Sequence, residues 1–455
     1  MWTYTTDELA SLSGGTLLGD GNACISGVYT DSRVSGEGKL FVALKGENFD
    51  GHDFVDAAVK GGASAIMLAR EVSDCPVPQI VVSEPLRGLT RLATGHRKSF
   101  GRKVAAVTGS AGKTTTRTLI ATILGESGKI LEPEKNFNNH IGVPLTAMNL
   151  DNSFDAAVFE LGCSDFNEIG PLARIVDPDV AIITNVGEAH LEKLKNLEGV
   201  ARAKGELFAA LNREACAVVN LDDAHIRNMP RAADRVVTFS TGGTPADVQL
   251  MQRIPGPFNQ QLRLRLQGTE VDVPFSLPGI HNAIDATAAA AASLAMGAGI
   301  DDIIAGLGKA KARPGRFDIV VKDGLSIVDD TYNANPSSMT ASLNVLAEMV
   351  PAEQRMAVLG DMLELGDNSE SAHLSLGKTV AVIGVKKLFL YGKFKQLTRQ
   401  GAVSAGMPSA NIVCSDDVTE ISKKVVEISK SGDALLIKGS RGMKLERVVR
   451  TILEG

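Results

Sequence analysis

Residues Val104-Ala-Ala-Val-Thr-Gly-Ser-Ala-Gly-Lys-Thr-Thr-Thr116 set an apolar run, a small-residue loop, a lysine and hydroxyls in immediate succession. A strand that ends in a glycine turn and re-enters a helix makes a phosphate cradle. Its backbone N–H groups and the positive end of the helix face the anion. In such a loop Lys113 supplies a point charge and Thr114 a hydroxyl for Mg²⁺. Gly109, Ser110, Ala111, Gly112, Lys113, Thr114 and Thr115 are therefore candidate ligands of a nucleoside triphosphate. The usual spacing is G-x-x-x-x-G-K-[ST], and Val107 stands where its first glycine would be, so the loop is a compact variant. An ordinary strand-to-helix turn is the competing reading.

Glu160 closes the apolar run Ala156–Phe159, at the carboxyl edge where open α/β sheets bind ligands. A carboxylate there suits the Mg²⁺ of a triphosphate; a solvated strand-end acid is the alternative. His190 follows the run Val180–Ile183 in Asn185-Val-Gly-Glu-Ala-His190, and at the same edge it is a metal-ligand candidate. Lys204, in Ala203-Lys204-Gly205, would repel a cation as an ammonium. Only carbamylation would convert it into an anionic oxygen ligand.

The elements that must position these residues read as an α/β chain. At 455 residues it is too long for one core, and its composition of 44% hydrophobic and 22% charged residues is that of a globular protein. A net charge of -6 argues against a general nucleic-acid binder. Five scattered cysteines without a C-x-x-C pair fit reduced thiols and offer no zinc site. Residues Met1–Glu8 lack the basic start and apolar core of a signal peptide, and Ala286–Ala298 is too short to span a membrane; a cytoplasmic location is expected.

Three domains are predicted, over 1–100, 101–312 and 313–455. The first alternates short apolar runs (Leu40–Leu44, Ala65–Leu68, Ile80–Val82) with a helix near Phe54–Lys60. Basic residues His96–Lys103 read as a linker. The second holds buried parallel strands at Ala156–Phe159, Val180–Ile183 and Ala217–Val219, with a helix from Arg117 to Leu124 after the phosphate loop. Alternation at Leu262, Leu264 and Leu266 predicts antiparallel edge strands, and a helix over His281–Met296 follows. Ala312-Arg-Pro-Gly-Arg316 marks the next boundary, beyond which runs at Leu325–Val328, Arg355–Leu359, Lys387–Leu390 and Asp433–Ile437 predict a Rossmann-like domain.

Gly109–Thr115, Glu160, Asn185–His190 and Ala203-Lys204, with Pro278-Gly-Ile-His-Asn282 and Arg313-Pro-Gly-Arg316, resemble the ATPase core of the Mur ligases. Asp329–Pro336, Val358–Gly366 and Lys438–Glu446 are similar to the branch of that family that adds D-alanyl-D-alanine. Thr30-Asp-Ser-Arg33, Leu40–Gly46, Asp50-Gly-His52 and Lys135–Pro144 resemble the parts that bind the UDP-linked substrate. The resemblance covers the whole chain in order. One departure is Asp285, where members often carry a second asparagine three residues after the His-Asn pair.

The resemblance implies an ATP- and Mg²⁺-dependent ligase. ATP would phosphorylate the terminal carboxylate of a UDP-N-acetylmuramoyl-tripeptide, and the amine of D-alanyl-D-alanine would attack the acyl phosphate. It further implies a first Mg²⁺ on Thr114 and Glu160 and a second on His190 and carbamylated Lys204. Arg33 and Lys45 would face the UDP pyrophosphate, with Asp31 and Ser32 beside them at the substrate, and Asn136, Asn138 and Asn139 the sugar or peptide. Asn282, Arg316, Asp330 and Tyr332 would surround adenosine. For the asparagines a turn role competes, and for Arg33 a surface ion pair. Domain closure is expected, with hinges near 97–103 and 312–316, in a monomer. A folylpolyglutamate-synthase-like ligase, a small-molecule kinase and a nucleotide-dependent switch are the rival functions; no N-K-x-D motif supports the last.

Overall fold

The computed structural model describes residues 2–46, 49–134 and 136–454, so Met1 and Lys135 of the stretches quoted above lie outside the described residues. Three large sheets occupy successive parts of the chain. In the first, strands run in the order Thr16–Leu18, Gln79–Val81, Ala65–Leu68, Leu40–Val42, Val28–Tyr29, and only the Thr16–Leu18 edge is antiparallel. A two-stranded pair, Tyr4–Thr5 with Cys24–Ile25, flanks it.

The central sheet has nine strands. From one edge they are Ile130–Leu131, Ala156–Glu160, Val104–Thr108, Val180–Ile183, Cys216–Asn220, Arg235–Ser240 and Val248–Pro255, all mutually parallel. The hairpin Gln260–Leu266 and Thr269–Phe275 completes it as the predicted antiparallel edge. Leu262, Leu264 and Leu266 point inward and are fully buried, while Gln261 and Arg263 alternate outward. Strand Val104–Thr108 lies between the later Ala156–Glu160 and Val180–Ile183. The chain's direction across the sheet therefore reverses at its carboxyl end, the place where such sheets bind ligands.

Helices Lys113–Leu124 and Ile280–Met296 cover one face of this sheet. The second is alanine-rich, and nearly all of it is buried, because small side chains let the helix lie close to the strands. Among the described residues no helix is long and apolar enough to cross a membrane. The helix after the phosphate loop begins at Lys113, not at Arg117: the threonines of its first turn, poor helix formers in isolation, are carried by the turn they anchor.

Residues His96–Lys103 do not form the expected linker. Helix Pro85–Ser99 runs through the first half of that segment, and its basic end is buried. Arg97 donates to Val176 O at 2.7 Å and Asp177 O at 2.9 Å, and His96 Nε2 pairs with Leu150 O at 2.7 Å. One apolar core runs without a break from Leu40, Met67 and Leu92 in the first domain to Val104, Phe159 and Phe208 in the second. A hinge near 97–103 is thus corrected to a fused junction.

The third sheet orders Asp318–Lys322, Leu325–Asp330, Ala434–Lys438, Arg355–Leu359, Lys387–Tyr391 and Ile412–Ser415, parallel except for the first pair. Its two cores lie wholly within residues 317–452. The connection from Lys309 to Phe317 carries no helix or strand.

Candidate functional site

The phosphate loop is held from the neighbouring strand. Ser110 N donates to Asn185 O at 3.1 Å and Ala111 N to Asn185 Oδ1 at 3.0 Å, while Thr184 Oγ1 donates to Ala111 O at 2.6 Å. Ser110 Oγ both donates to Gly187 O and accepts from Gly187 N, each at 2.9 Å. A Cβ on Gly109 would overlap Thr184 Oγ1, and one on Gly112, whose φ is +78°, would overlap the Asp285 carboxyl, so both positions require glycine. Asp285 is buried beneath the loop, and burial pushes its carboxyl well above the ordinary range against the pull of Thr116 and Arg316.

Lys113 Nζ folds back onto Gly109 O at 2.8 Å, and burial lowers its pKa. Thr114 Oγ1 donates to Glu160 Oε2 at 2.9 Å, and the buried Glu160 also accepts from Asn138 Nδ2 at 2.9 Å. Arg117, fully buried, lies 3.8 Å from Glu160 and donates to Pro133 O at 2.9 Å. Its position one turn after Thr114 was the available signal, but local sequence does not reveal that Pro133 and Glu160 receive it.

Lys204 projects from helix Leu197–Ala209 into the same interior and is 2% exposed. No hydrogen bond or ion pair to its amine exists among the described residues. Burial, with a further push from Lys113 and against Cys163, lowers its pKa to about 8. Cys163, between the two lysines in this electrostatic sense, has its thiol pushed up by burial.

His190 turns elsewhere. Its Nδ1 meets Glu364 Oε2 of the third domain at 2.6 Å, and it contacts neither Glu160 nor Lys204. The hydrogen bond to His190 lowers the Glu364 pKa. Among the described residues no three His, Cys, Asp or Glu side chains converge on one point. Oxygen donors that fit Mg²⁺ are nevertheless in place, since Thr114 and Glu160 already hold each other.

The third domain reaches the loop through Arg316, whose guanidinium donates to Thr114 Oγ1 at 3.3 Å and stacks 3.8 Å from the Tyr332 ring centre. Arg441 lies on Tyr332 as well, at 5.6 Å. A narrow cleft beside this contact is lined by Thr115, Thr118, Leu277, Lys311, Ala312 and Arg313. Asp330 is bound to Lys438 Nζ and Ser342 Oγ, both at 2.6 Å; burial pushes its carboxyl up, but Lys438 outweighs that and holds it below the ordinary range. Asn282 Nδ2 donates to Pro278 O at 2.7 Å, which closes the first turn of its helix.

Several expected substrate contacts are occupied by structural partners. Asn138 serves Glu160, and Asn139 Oδ1 accepts from Ile141 N at 3.1 Å and Gly142 N at 2.9 Å, so it ties down the turn that leads into helix Gly142–Ala147. Asn136 and Asn139 are both exposed, and of the three only Asn136 makes no side-chain hydrogen bond among the described residues. Asp31 and Arg33 form a two-pronged pair at 2.7 and 2.8 Å, and Arg33 is otherwise exposed. Lys45 is exposed and Ser32 half-buried. Residues 31–33 follow strand Val28–Tyr29 and Lys45 follows Leu40–Val42, so all four sit at the carboxyl edge of the first sheet, where an anionic ligand would enter.

Three family descriptions match the chain: the Mur ligase family catalytic domain over 24–94, the Mur ligase middle domain over 107–293, and the Mur ligase glutamate ligase domain over 315–441. A UDP-N-acetylmuramoyl-tripeptide–D-alanyl-D-alanine ligase from Escherichia coli K12 is 36% identical over 100% of this chain and 99% of its own. A MurF crystal structure from Acinetobacter baumannii superposes with a TM-score of 0.91 at 31% identity, covering 100% of both chains. A Thermotoga maritima MurF ligase in complex with ADP does so with a TM-score of 0.84 at 30% identity, over 94% of this chain and 97% of that one. With the phosphate loop, its Thr114–Glu160 pair and three sheets in the same order, these matches place the chain in the Mur ligase family.

Proposed function

We propose that this chain is the ATP-dependent ligase that joins D-alanyl-D-alanine to UDP-N-acetylmuramoyl-tripeptide, releasing ADP and phosphate and completing the cytoplasmic pentapeptide precursor of peptidoglycan. Joining a carboxylate to an amine in water is uphill, so the carboxylate is first phosphorylated. The first step brings two anions together, and neutralising and positioning them is the main task. Gly109 to Thr115 cradle the triphosphate of ATP, and Lys113 swings from Gly109 O onto its β- and γ-phosphates. Arg316, already at Thr114, covers the phosphate chain from the third domain. Tyr332, between Arg316 and Arg441, Asn282 and Asp330 mark the adenosine side.

Thr114 and Glu160 would hold one Mg²⁺, and His190 with carbamylated Lys204 a second; the ions supply charge neutralisation at the transferring phosphoryl group. Lys204 suits carbamylation because its buried amine is partnerless and loses its proton at about 8, and CO₂ adds only to the neutral amine with release of one proton. Arg33 and Lys45 receive the UDP pyrophosphate, with Asp31 and Ser32 beside them, and Asn136, Asn138 and Asn139 face the sugar or peptide.

The observation that carries this reading is a phosphate loop whose Lys113 is felt electrostatically by a buried lysine, Lys204, that has no hydrogen-bond or ion-pair partner among the described residues. A kinase needs the first; the second suits a site that must gather extra negative charge. Phosphate release measured with each substrate omitted in turn tests it. Release should require both the UDP-tripeptide and D-alanyl-D-alanine. Sustained turnover without the dipeptide would favour a kinase, and turnover with neither substrate a simple ATPase.

A further inference from the structure

Three segments follow neighbouring parallel strands of the first sheet and share its carboxyl edge. Asp31 to Val34 follow Val28–Tyr29; Lys45, Gly46, Phe49 and Asp50 follow Leu40–Val42; Ala69 and Arg70 follow Ala65–Leu68. Hydrogen bonds fix the second segment on itself and onto the third. Gly46 N donates to Phe49 O at 2.9 Å, and Lys45 and Asp50 form an antiparallel bridge. Asp50 Oδ1 accepts from His52 N at 3.0 Å and from His52 Nδ1 at 2.6 Å, while His52 Nε2 accepts from Ala69 N at 2.9 Å. The imidazole therefore carries its proton on Nδ1 and clamps the two segments together.

Phe49 stands on this clamped segment and is 56% exposed. A single exposed phenylalanine is ordinary on a protein surface. Here, however, the backbone makes room for the ring: a Cβ on Gly46 would come within 2.7 Å of Phe49 Cε1 and 3.0 Å of Cζ. The same sheet edge carries three cations. Lys45 is exposed, and no hydrogen bond or ion pair to its ammonium exists among the described residues. Arg70 is 66% exposed and lies 3.9 Å from Asp50, and Arg33 is exposed beyond its pair with Asp31. Ion pairs this open to water hold their cations weakly, which leaves them free for an anion. An aromatic face with cations on the adjoining loops complements a planar base that carries phosphates.

We propose that Phe49 is a substrate-binding residue whose ring stacks on the uracil of the UDP-linked substrate, while Lys45 and Arg70 take the pyrophosphate beside it. This rests on the reading of the first domain as the UDP-binding part and adds to it a contact for the base, which the cations alone do not supply.

Calorimetric titration of UDP into the full-length enzyme tests it, with the ATP site filled by a non-hydrolysable ATP analogue. Phe49→Ala should weaken UDP about 10-fold, the scale of one base–aromatic stack. UMP should weaken by the same factor, because both ligands carry the base. Lys45→Ala should instead cost UDP more than UMP. Phe49→Tyr should bind like the wild type, and Phe49→Leu, which keeps apolar bulk without an aromatic face, should bind like Phe49→Ala. Thermal melting, unchanged in each variant because the position is exposed, separates lost binding from a lost fold. In proton spectra the uracil H5 and H6 resonances should move upfield on binding to the wild type and not on binding to Phe49→Leu. Equal UDP affinity in the wild type and Phe49→Ala, or no upfield shift with the wild type, would overturn the proposal. If the wild type binds no UDP, the UDP reading itself fails, a result distinct from intact binding in Phe49→Ala.

Discussion

The junction between the first and second domains and the junction between the second and third are built from opposite materials. At the first, one apolar core crosses the boundary, and Arg97 is buried with its guanidinium spent on carbonyl oxygens of the other domain. At the second, no core cluster crosses among the described residues. The contacts there are largely polar: Arg253 with Glu348, Arg313 with Glu132, Arg316 with Thr114, and His190 with Glu364. Apolar cores part only at the cost of exposing their surface, whereas exposed ion pairs exchange for water at little net change. The first two domains therefore share one body, and the third is joined to them by these polar contacts and by the Lys309–Phe317 connection, which carries no helix or strand.

This division separates chemistry from docking. Lys113 and Lys204 both belong to the fused body. Lys113→Ala should reduce ADP formation on the order of 10³-fold by removing the cation that faces the phosphates, with the melting temperature nearly unchanged. Lys204→Ala should also lose most activity, with acetate or formate restoring part of it. Lys204→Arg should stay inactive because it returns a positive charge. Steady-state ADP release and thermal melting check both, and full activity in the arginine variant would exclude the carbamate.

The fused junction can be broken directly. Arg97→Ala leaves the Val176 and Asp177 carbonyls without donors and should cost about 2–4 kcal/mol in denaturant unfolding. If the first two domains share a core, their unfolding should remain a single transition. Separation into two transitions would contradict the shared core.

Acid should act on the other junction. His281 opens helix Ile280–Met296 against Phe317 of the third domain, with Asp330, Lys438, Arg253 and Glu348 around it. Burial, helped by Lys438 and Arg253, lowers its pKa to about 4 from 6.5. The unfolded chain thus binds the proton more readily, so the stabilisation is complete above 6.5 and lost as pH falls through 4. The full effect is at most about 3 kcal/mol. His281→Gln should flatten the loss between these limits, read by melting temperature against pH. The smallest effect belongs to Arg313→Ala, whose side chain is 44% exposed in its pair with Glu132 and which should cost under about 1 kcal/mol while loosening the docked third domain in small-angle scattering.

The sequence revealed the phosphate loop because its residues are contiguous and each has a local reason to be there. It revealed the fully buried strands at the centre of all three sheets because β-branched and alternating runs report burial directly, but not Arg235–Ser240, Val248–Pro255 or short edge strands such as Thr16–Leu18, Ile130–Leu131 and Ile412–Ser415. It misplaced the first hinge because His96–Lys103 is basic, and composition alone cannot show that Val176 O waits 79 residues away from Arg97. The hydrogen bonds that Asn138 and Asn139 make, to Glu160 and from the Gly142 backbone, were hidden for the same reason: those partners meet them only in the fold. Glu364 lay within a stretch that resembled the family, yet nothing near it in sequence points to His190.

The most direct measurement is the mass balance of one reaction. The enzyme with ATP, Mg²⁺, UDP-N-acetylmuramoyl-tripeptide and D-alanyl-D-alanine should yield a product heavier than the tripeptide precursor by the dipeptide less one water. One ADP and one phosphate should appear for each amide formed. A stable phosphorylated product, or ADP accumulating without the amide, would contradict the account.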